Sequence, residues 1–215
     1  MTPVETATPL TVRTLRRAAR ELGEMDPRLH ASIARYGPPP LWSREPSYAT
    51  LVHLILEQQV SLASAQAAFD RLREALGGSI EPAGLLELRD AELRAVGFSR
   101  QKAGYARTLA SAMLDGFELD ALATMPDDEV RRALIAMPGI GRWTADIYLT
   151  MCLLRPDVWP HGDLALATSA RDLLDLDERP AFAELGVIAE RWHPYRAVAA
   201  RILWHDYLQR RGLPA

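Results

Sequence analysis

The sequence predicts an all-α protein. Apolar residues recur at spacings of three and four and hardly ever alternate over the length of a strand. Ser, Asp, Pro and Gly stand where helices begin and end. There is no internal repeat, no low-complexity tract and no convincing strand pattern.

Residues 11–24 open the series, with Leu15, Ala18, Ala19 and Leu22 on one face and Arg13, Arg16, Arg17 and Arg20 on the other. The run Gly37-Pro38-Pro39-Pro40 interrupts helix, and Ser47 caps a new one carrying Leu51, Leu54 and Ile55. Residues 61–76 form another, ended by Gly77-Gly78. Short helical pieces at 82–88 and 90–96 follow, the second closed by Gly97. Ser99 caps a helix reaching Leu114, whose inner stripe is Ala103, Ala106, Leu109, Ala110 and Met113. Pro126 at a first helical position, with Asp127, Asp128 and Glu129 in the first turn, starts a helix to about Ala136. Residues 163–174, 180–192 and 194–210 supply the last three helices.

Composition excludes several chemistries. The chain has 215 residues and a formal net charge of −3, so nucleic-acid binding has to rest on a local face. Cys152 is the one cysteine, which excludes an intramolecular disulfide and an iron-sulfur cluster held by this chain's thiolates. His30, His53, His161, His193 and His205 show no metal-ligand pairing, and no zinc site is expected. No apolar run approaches the roughly 18 residues of a membrane span, and residues 1–17 lack the apolar core of a signal peptide. A cytoplasmic location, nucleoid-associated in a bacterium, is expected, with no membrane contact. Lys102 is the only lysine, which leaves few candidates for Schiff-base chemistry.

The most informative stretch is 130–154, VRRALIAMPGIGRWTADIYLTMCLL, which reads as helix, hairpin Pro138-Gly139-Ile140-Gly141, then helix. Two glycines around one apolar residue allow a tight reversal with bare amides at the start of the second helix. There the macrodipole favours an anion, a DNA phosphate being the natural guest, with Arg142 adding charge. An αα-hairpin whose glycines serve only packing fits the same four residues.

With its surroundings, this stretch resembles the helix-hairpin-helix DNA glycosylase superfamily. Trp159-Pro160-His161-Gly162-Asp163 looks like the family's downstream Gly/Pro-rich loop and aspartate. Upstream, Ile55-Leu56-Glu57-Gln58-Gln59-Val60-Ser61 is similar to its I-L-x-Q-Q-x-S junction, and Gly97-Phe98-Ser99-Arg100-Gln101-Lys102-Ala103 to its G-x-x-x-x-K-A segment. Trp192-His193-Pro194-Tyr195-Arg196 followed by Trp204 resembles the AlkA-type DNA-3-methyladenine glycosylase II branch, without that branch's N-terminal β domain. The resemblance implies two helical subdomains with the active-site cleft between them. One is 48–155, with the helix-hairpin-helix at about 126–154. The other is 1–47 plus 156–215, carrying the aspartate loop.

The resemblance also implies roles. Asp163 would be catalytic, its carboxylate stabilising oxocarbenium character on the sugar, while also serving as an N-cap. Trp143 stands where bifunctional relatives hold a Schiff-base lysine, which implies a monofunctional enzyme that leaves the abasic site uncut. Trp143 and Trp204, with Tyr148 adding to the wall, would stack on an electron-poor methylated base. Core packing is the competing reading, favoured for Tyr148, Trp159 and Trp192. Ile147 replaces a pocket tyrosine of the branch. Gln59 falls where the family inserts a side chain into the gap left by the flipped nucleotide, and Gln58 would bond to backbone. Gly139, Ile140, Gly141 and Arg142 would hold phosphate, with Lys102 and Arg100 as weaker contacts. Carbonyls of Ile135, Met137 and Ile140 would hold a Na or K ion. The implied activity is excision of alkylated purines, 3-methyladenine above all, from double-stranded DNA in base excision repair by a monomer needing no cofactor. The rivals are a non-catalytic DNA-binding module and a monofunctional glycosylase for deaminated bases.

Overall fold

The computed structural model describes residues 8–213. The outermost residues of the second expected subdomain, 1–7 and 214–215, lie outside them, as does the first part, 1–7, of the segment read for a leader. Thirteen α-helices follow in order: α1 (Val12–Met25), α2 (Pro27–Tyr36), α3 (Tyr48–Glu57), α4 (Leu62–Ala75), α5 (Pro82–Glu87), α6 (Asp90–Ala95), α7 (Arg100–Leu114), α8 (Leu119–Leu122), α9 (Asp127–Ile135), α10 (Arg142–Ile147), α11 (Leu164–Leu174), α12 (Phe182–Ala189) and α13 (Arg196–Arg210). A π-helical turn, Tyr148–Cys152, extends α10, and a 3-10 turn, Glu190–Trp192, follows α12. Among the described residues no strand forms, as the apolar spacing predicts, and no helix is long and apolar enough to cross a membrane.

The caps explain the boundaries. Thr11, Ser47, Ser61, Ser99 and Asp163 each accept a backbone N–H of the following first turn, which satisfies a donor the helix itself cannot. Pro126 is the residue before α9 rather than its first, since it holds an extended ψ of 149°. The sequence reading passed over α2, although Asp26 caps it and Pro27 occupies its first turn. It also passed over α8, too short for a periodic signal. The second hairpin helix leaves α geometry at Tyr148 instead of running on to 154.

One compact unit spans 44–148, the other 8–43 with 149–213. In the first, α7 packs on α3, α5 and α6, α3 on α4, and α9 on α10. The Tyr48 hydroxyl donates to the Ala106 carbonyl at 3.0 Å, tying α3 to α7, and burial pushes its pKa up. In the second unit α13 is central, packed on α1, α2 and α11. Its buried residues run unbroken from Ala197 to Asp206, so the helix is covered all round. Arg201 is among them. Its guanidinium donates to the carbonyls of Leu41 (3.0 Å), Ala197 (3.0 Å) and Thr150 (2.5 Å), the last in the π turn. Burial lowers its pKa to about 10, which leaves it charged at neutral pH.

Candidate active site and nucleic-acid interface

The hairpin between α9 and α10 belongs to the 44–148 unit. Gly139 has φ +88°, and a Cβ there would stand 2.1 Å from Cγ of Tyr105 and 2.3 Å from its Cδ2. Both backbone and packing therefore demand glycine. The Gly139 carbonyl accepts from Gln58 Nε2 at 2.8 Å, and the same amide donates to Thr144 Oγ1 at 3.2 Å. Gln101 Nε2 donates to the Tyr105 hydroxyl at 2.6 Å, steadying the ring under the turn.

The expectation of a bare amide at Ile140 is corrected. Its N–H donates to the Met137 carbonyl at 3.0 Å, and its side chain is 4% exposed, so this residue closes the turn and plugs it into the core. Gly141 differs. It is exposed, has φ −90° and ψ 177°, and a Cβ would meet nothing within 4 Å. Any residue could adopt that backbone, so nothing inside the protein asks for glycine at 141. What its missing side chain leaves room for is a body approaching from outside.

Arg142 follows with its side chain 61% exposed and Nε 3.6 Å from Oδ2 of Asp146. Asp146 is fully buried, and its Oδ1 accepts from Arg131 Nε at 2.8 Å. Arg131 also binds Asp128 at 2.5 Å, so its charge is spent inside the cluster, and the cation left facing outward beside Gly141 is Arg142. Trp143 is half-buried on α10. Tyr148 is fully enclosed, so its ring offers no face to a ligand here, and the pocket role gives way to packing.

Gln59 is exposed and has φ +59°. Helices commonly end on a left-handed residue, but glycine fills that place without strain, whereas a branched-off side chain costs about 1–3 kcal/mol. A glutamine kept there is a side chain presented at a cost. Lys102 is corrected as a DNA contact: its Nζ donates to the carbonyls of Leu56 and Gln58, at 2.8 Å each, at the end of α3. Burial lowers its pKa. Sequence reasoning missed Tyr105, Thr144 and Asp146, whose parts depend on contacts between helices that no local pattern encodes.

Asp163 and Trp204 belong to the other unit. Asp163 caps α11, accepting the Leu166 N–H on Oδ1 at 2.9 Å, so the helix start fixes the carboxylate's position. Beside it in the loop, His161 lies edge-on to Phe182, ring centres 6.4 Å apart. Trp159 packs on the fully buried Trp192 at 5.7 Å. Trp192 Nε1 donates to Asp26 Oδ2 at 3.1 Å, while Arg196 binds Asp157 through its backbone N–H, Nε and Nη2 at 3.0, 3.1 and 2.8 Å. Residues 192–196 therefore latch the start of α13. Trp204 is 8% exposed. Among the described residues no three His, Cys, Asp or Glu side chains gather as a metal site.

Residues 52–194 match the family described as HhH-GPD superfamily base excision DNA repair protein. The chain belongs to this superfamily. DNA-3-methyladenine glycosylase 1 of Schizosaccharomyces pombe is 29% identical to this HhH-GPD protein over 182 residues, 82% of this chain and 79% of that one. YfjP of Bacillus subtilis is 29% identical over 167 residues, and the chain spans 58% of its length. Among solved structures, the S. pombe 3-methyladenine DNA glycosylase in complex with abasic DNA is similar at a TM-score of 0.82 and 27% identity, covering 87% of this chain and 95% of that one. A DNA-3-methyladenine glycosidase from Bacillus halodurans is similar at a TM-score of 0.73 and 30% identity, covering 88% of each chain.

Proposed function

We propose that this HhH-GPD protein is a monofunctional DNA glycosylase that removes alkylated purines, 3-methyladenine foremost, from double-stranded DNA. The observation that carries the reading is its likeness, over 95% of that chain, to a 3-methyladenine glycosylase solved on abasic DNA. The hairpin would grip phosphate through the open Gly141 backbone and Arg142. Gln59 would fill the space of the extruded nucleotide, and Trp143 would stack on the cationic base.

Asp163 would stand by the sugar as positive charge grows at C1′. The C1′–N bond breaks, the base leaves as a neutral purine, water oxygen bonds to C1′, and the water's spare proton passes to solvent. No amine is needed. Trp143 offers none, and the Nζ of Lys102 is engaged by two carbonyls. A monovalent cation on the carbonyls of Ile135, Met137 and Ile140 fits the turn: Gly139's carbonyl is taken by Gln58, while Met137's accepts a single N–H and keeps a lone pair. A cation held by these carbonyls would supply positive charge on the phosphate-facing turn. The protein would act as a monomer in the cytoplasm.

The test is chromatography of free bases released from methylated duplex DNA. Release of 3-methyladenine by the wild type and its loss in Asp163→Asn support the reading. Release of hypoxanthine or uracil alone would transfer the assignment to deaminated bases, and tight binding without release would leave a DNA-binding module.

A further inference from the structure

We propose that Lys102 and Gln58 are positioning residues that hold Gln59 in its left-handed, outward conformation and tie it to the phosphate-gripping turn. The inference rests on the glycosylase reading above and assigns how its wedge is held. α3 ends at Glu57, and the Gln58 N–H reaches only a long 3.4 Å bond to the Ile55 carbonyl, so the helix unravels just before Gln59. The last carbonyls of a helix have no internal partners. Here the Lys102 ammonium takes two of them, Leu56 and Gln58, from the N-terminal turn of α7. A cation at a helix C-terminus also suits the macrodipole. The side chain of Gln58 meanwhile runs the other way, to Gly139 and to the buried Thr144.

The peptide before Gln59 is thus pinned from both sides, by α7 through Lys102 and by the hairpin through Gln58. With its ammonium on the Leu56 and Gln58 carbonyls, Lys102 acts on DNA through Gln59. Because Gln58 bonds to the turn's own carbonyl, a turn seated on phosphate and a wedge held outward are parts of one hydrogen-bonded unit. DNA binding and nucleotide extrusion are coupled through the Gln58 amide.

The experiment compares Lys102→Met, Lys102→Arg, Gln59→Gly and the double variant Lys102→Met/Gln59→Gly. Each is assayed for single-turnover base release, for fluorescence rise of 2-aminopurine next to the lesion, and for abasic-duplex affinity against salt. Lys102→Met should lose at least tenfold in release rate and most of the fluorescence rise, with the salt slope of binding unchanged. Lys102→Arg should recover a good part of both. Gln59→Gly accepts the positive φ without help, so adding Lys102→Met to it should cost nothing further. Additive losses in the double variant would overturn the proposal, as would release by Lys102→Met within twofold of wild type. A salt slope smaller by about 0.9 would do the same, since that is the mark of a lost phosphate contact. A wild type that releases no base would instead sink the glycosylase reading, independently of these comparisons.

Discussion

Gly139→Ala and Gly141→Ala, two residues apart, should behave as opposites. At 139 an alanine must hold φ +88°, which costs about 1–2 kcal/mol for a residue with a Cβ. Its methyl would also lie 2.1–2.6 Å from three atoms of Tyr105, the Cβ among them, so the strain cannot be relieved at a flexible tip. Overpacking of that kind costs about 1–3 kcal/mol more, for a total of about 2–5 kcal/mol. At 141 the backbone is ordinary and the space empty, so stability should stay within about 0.5 kcal/mol of wild type. Affinity for an abasic duplex should nonetheless fall at least tenfold, because the added methyl stands where DNA backbone would approach. Urea unfolding followed by circular dichroism gives the first quantity and fluorescence anisotropy the second. Tyr105→Ala in the Gly139→Ala background should recover only part of the loss, since it removes the ring but leaves Cβ at 2.6 Å and the φ penalty intact. A Gly139→Ala variant as stable as wild type, or a Gly141→Ala variant that binds DNA normally, would refute this division of labour.

Asp163→Asn should keep the α11 cap, because Asn caps as well as Asp, and lose base release a hundredfold or more; a variant retaining a tenth of the wild-type rate would exclude the assigned role. Borohydride added during turnover should trap no protein–DNA adduct, and the product strand should stay whole until treated with alkali, as denaturing gels would show. Trp143→Leu should lower the release of cationic 3-methyladenine more than that of neutral hypoxanthine, each rate divided by the spontaneous one; equal losses would assign the indole to packing alone. Desolvation lowers the pKa of both His53 and His205, so the unfolded chain takes up their protons first as pH falls. Their contribution is complete above about pH 6.5 and is lost as pH drops through the folded values, by up to about 1.4 kcal/mol per pH unit for each ring. Urea midpoints between pH 7 and 5.5 should fall, and His205→Gln should flatten the trend.

What could be read from the sequence was whatever depends on neighbours along the chain. The arginine and apolar faces of α1, the serine caps of α3 and α7, and the double role of Asp163 as cap and candidate carboxylate are local, and the structure has these caps where the sequence puts them. The signal for α2, Asp26 as cap and Pro27 in the first turn, is also local, but the helix is only ten residues long and runs straight into Gly37-Pro38-Pro39-Pro40. By contrast, the spacing of Pro138-Gly139-Ile140-Gly141 could not separate its two glycines, because one answers to Tyr105 on another helix and the other to empty space. Nor could it tell that Lys102 faces carbonyls rather than solvent. The π turn at Tyr148–Cys152 has an unremarkable helical sequence. Its displaced Leu149 and Thr150 carbonyls are met by the Arg155 N–H and by Arg201, partners supplied by the chain further on.

The partners of Arg201 are all main-chain oxygens, which makes this anchor lopsided under mutation. Substituting Leu41, Thr150 or Ala197 changes a side chain but leaves the acceptor in place, so those three positions are free to drift as far as packing permits. Position 201 has no such freedom. Lysine has one nitrogen to offer where three directions must be served, and any neutral residue removes at once the donor that reaches the Leu41 and Thr150 carbonyls from α13. In a saturation library scored for folded protein, tolerance should therefore be spread over the acceptors and absent at the donor, a dependence invisible to methods that look for residues changing in pairs.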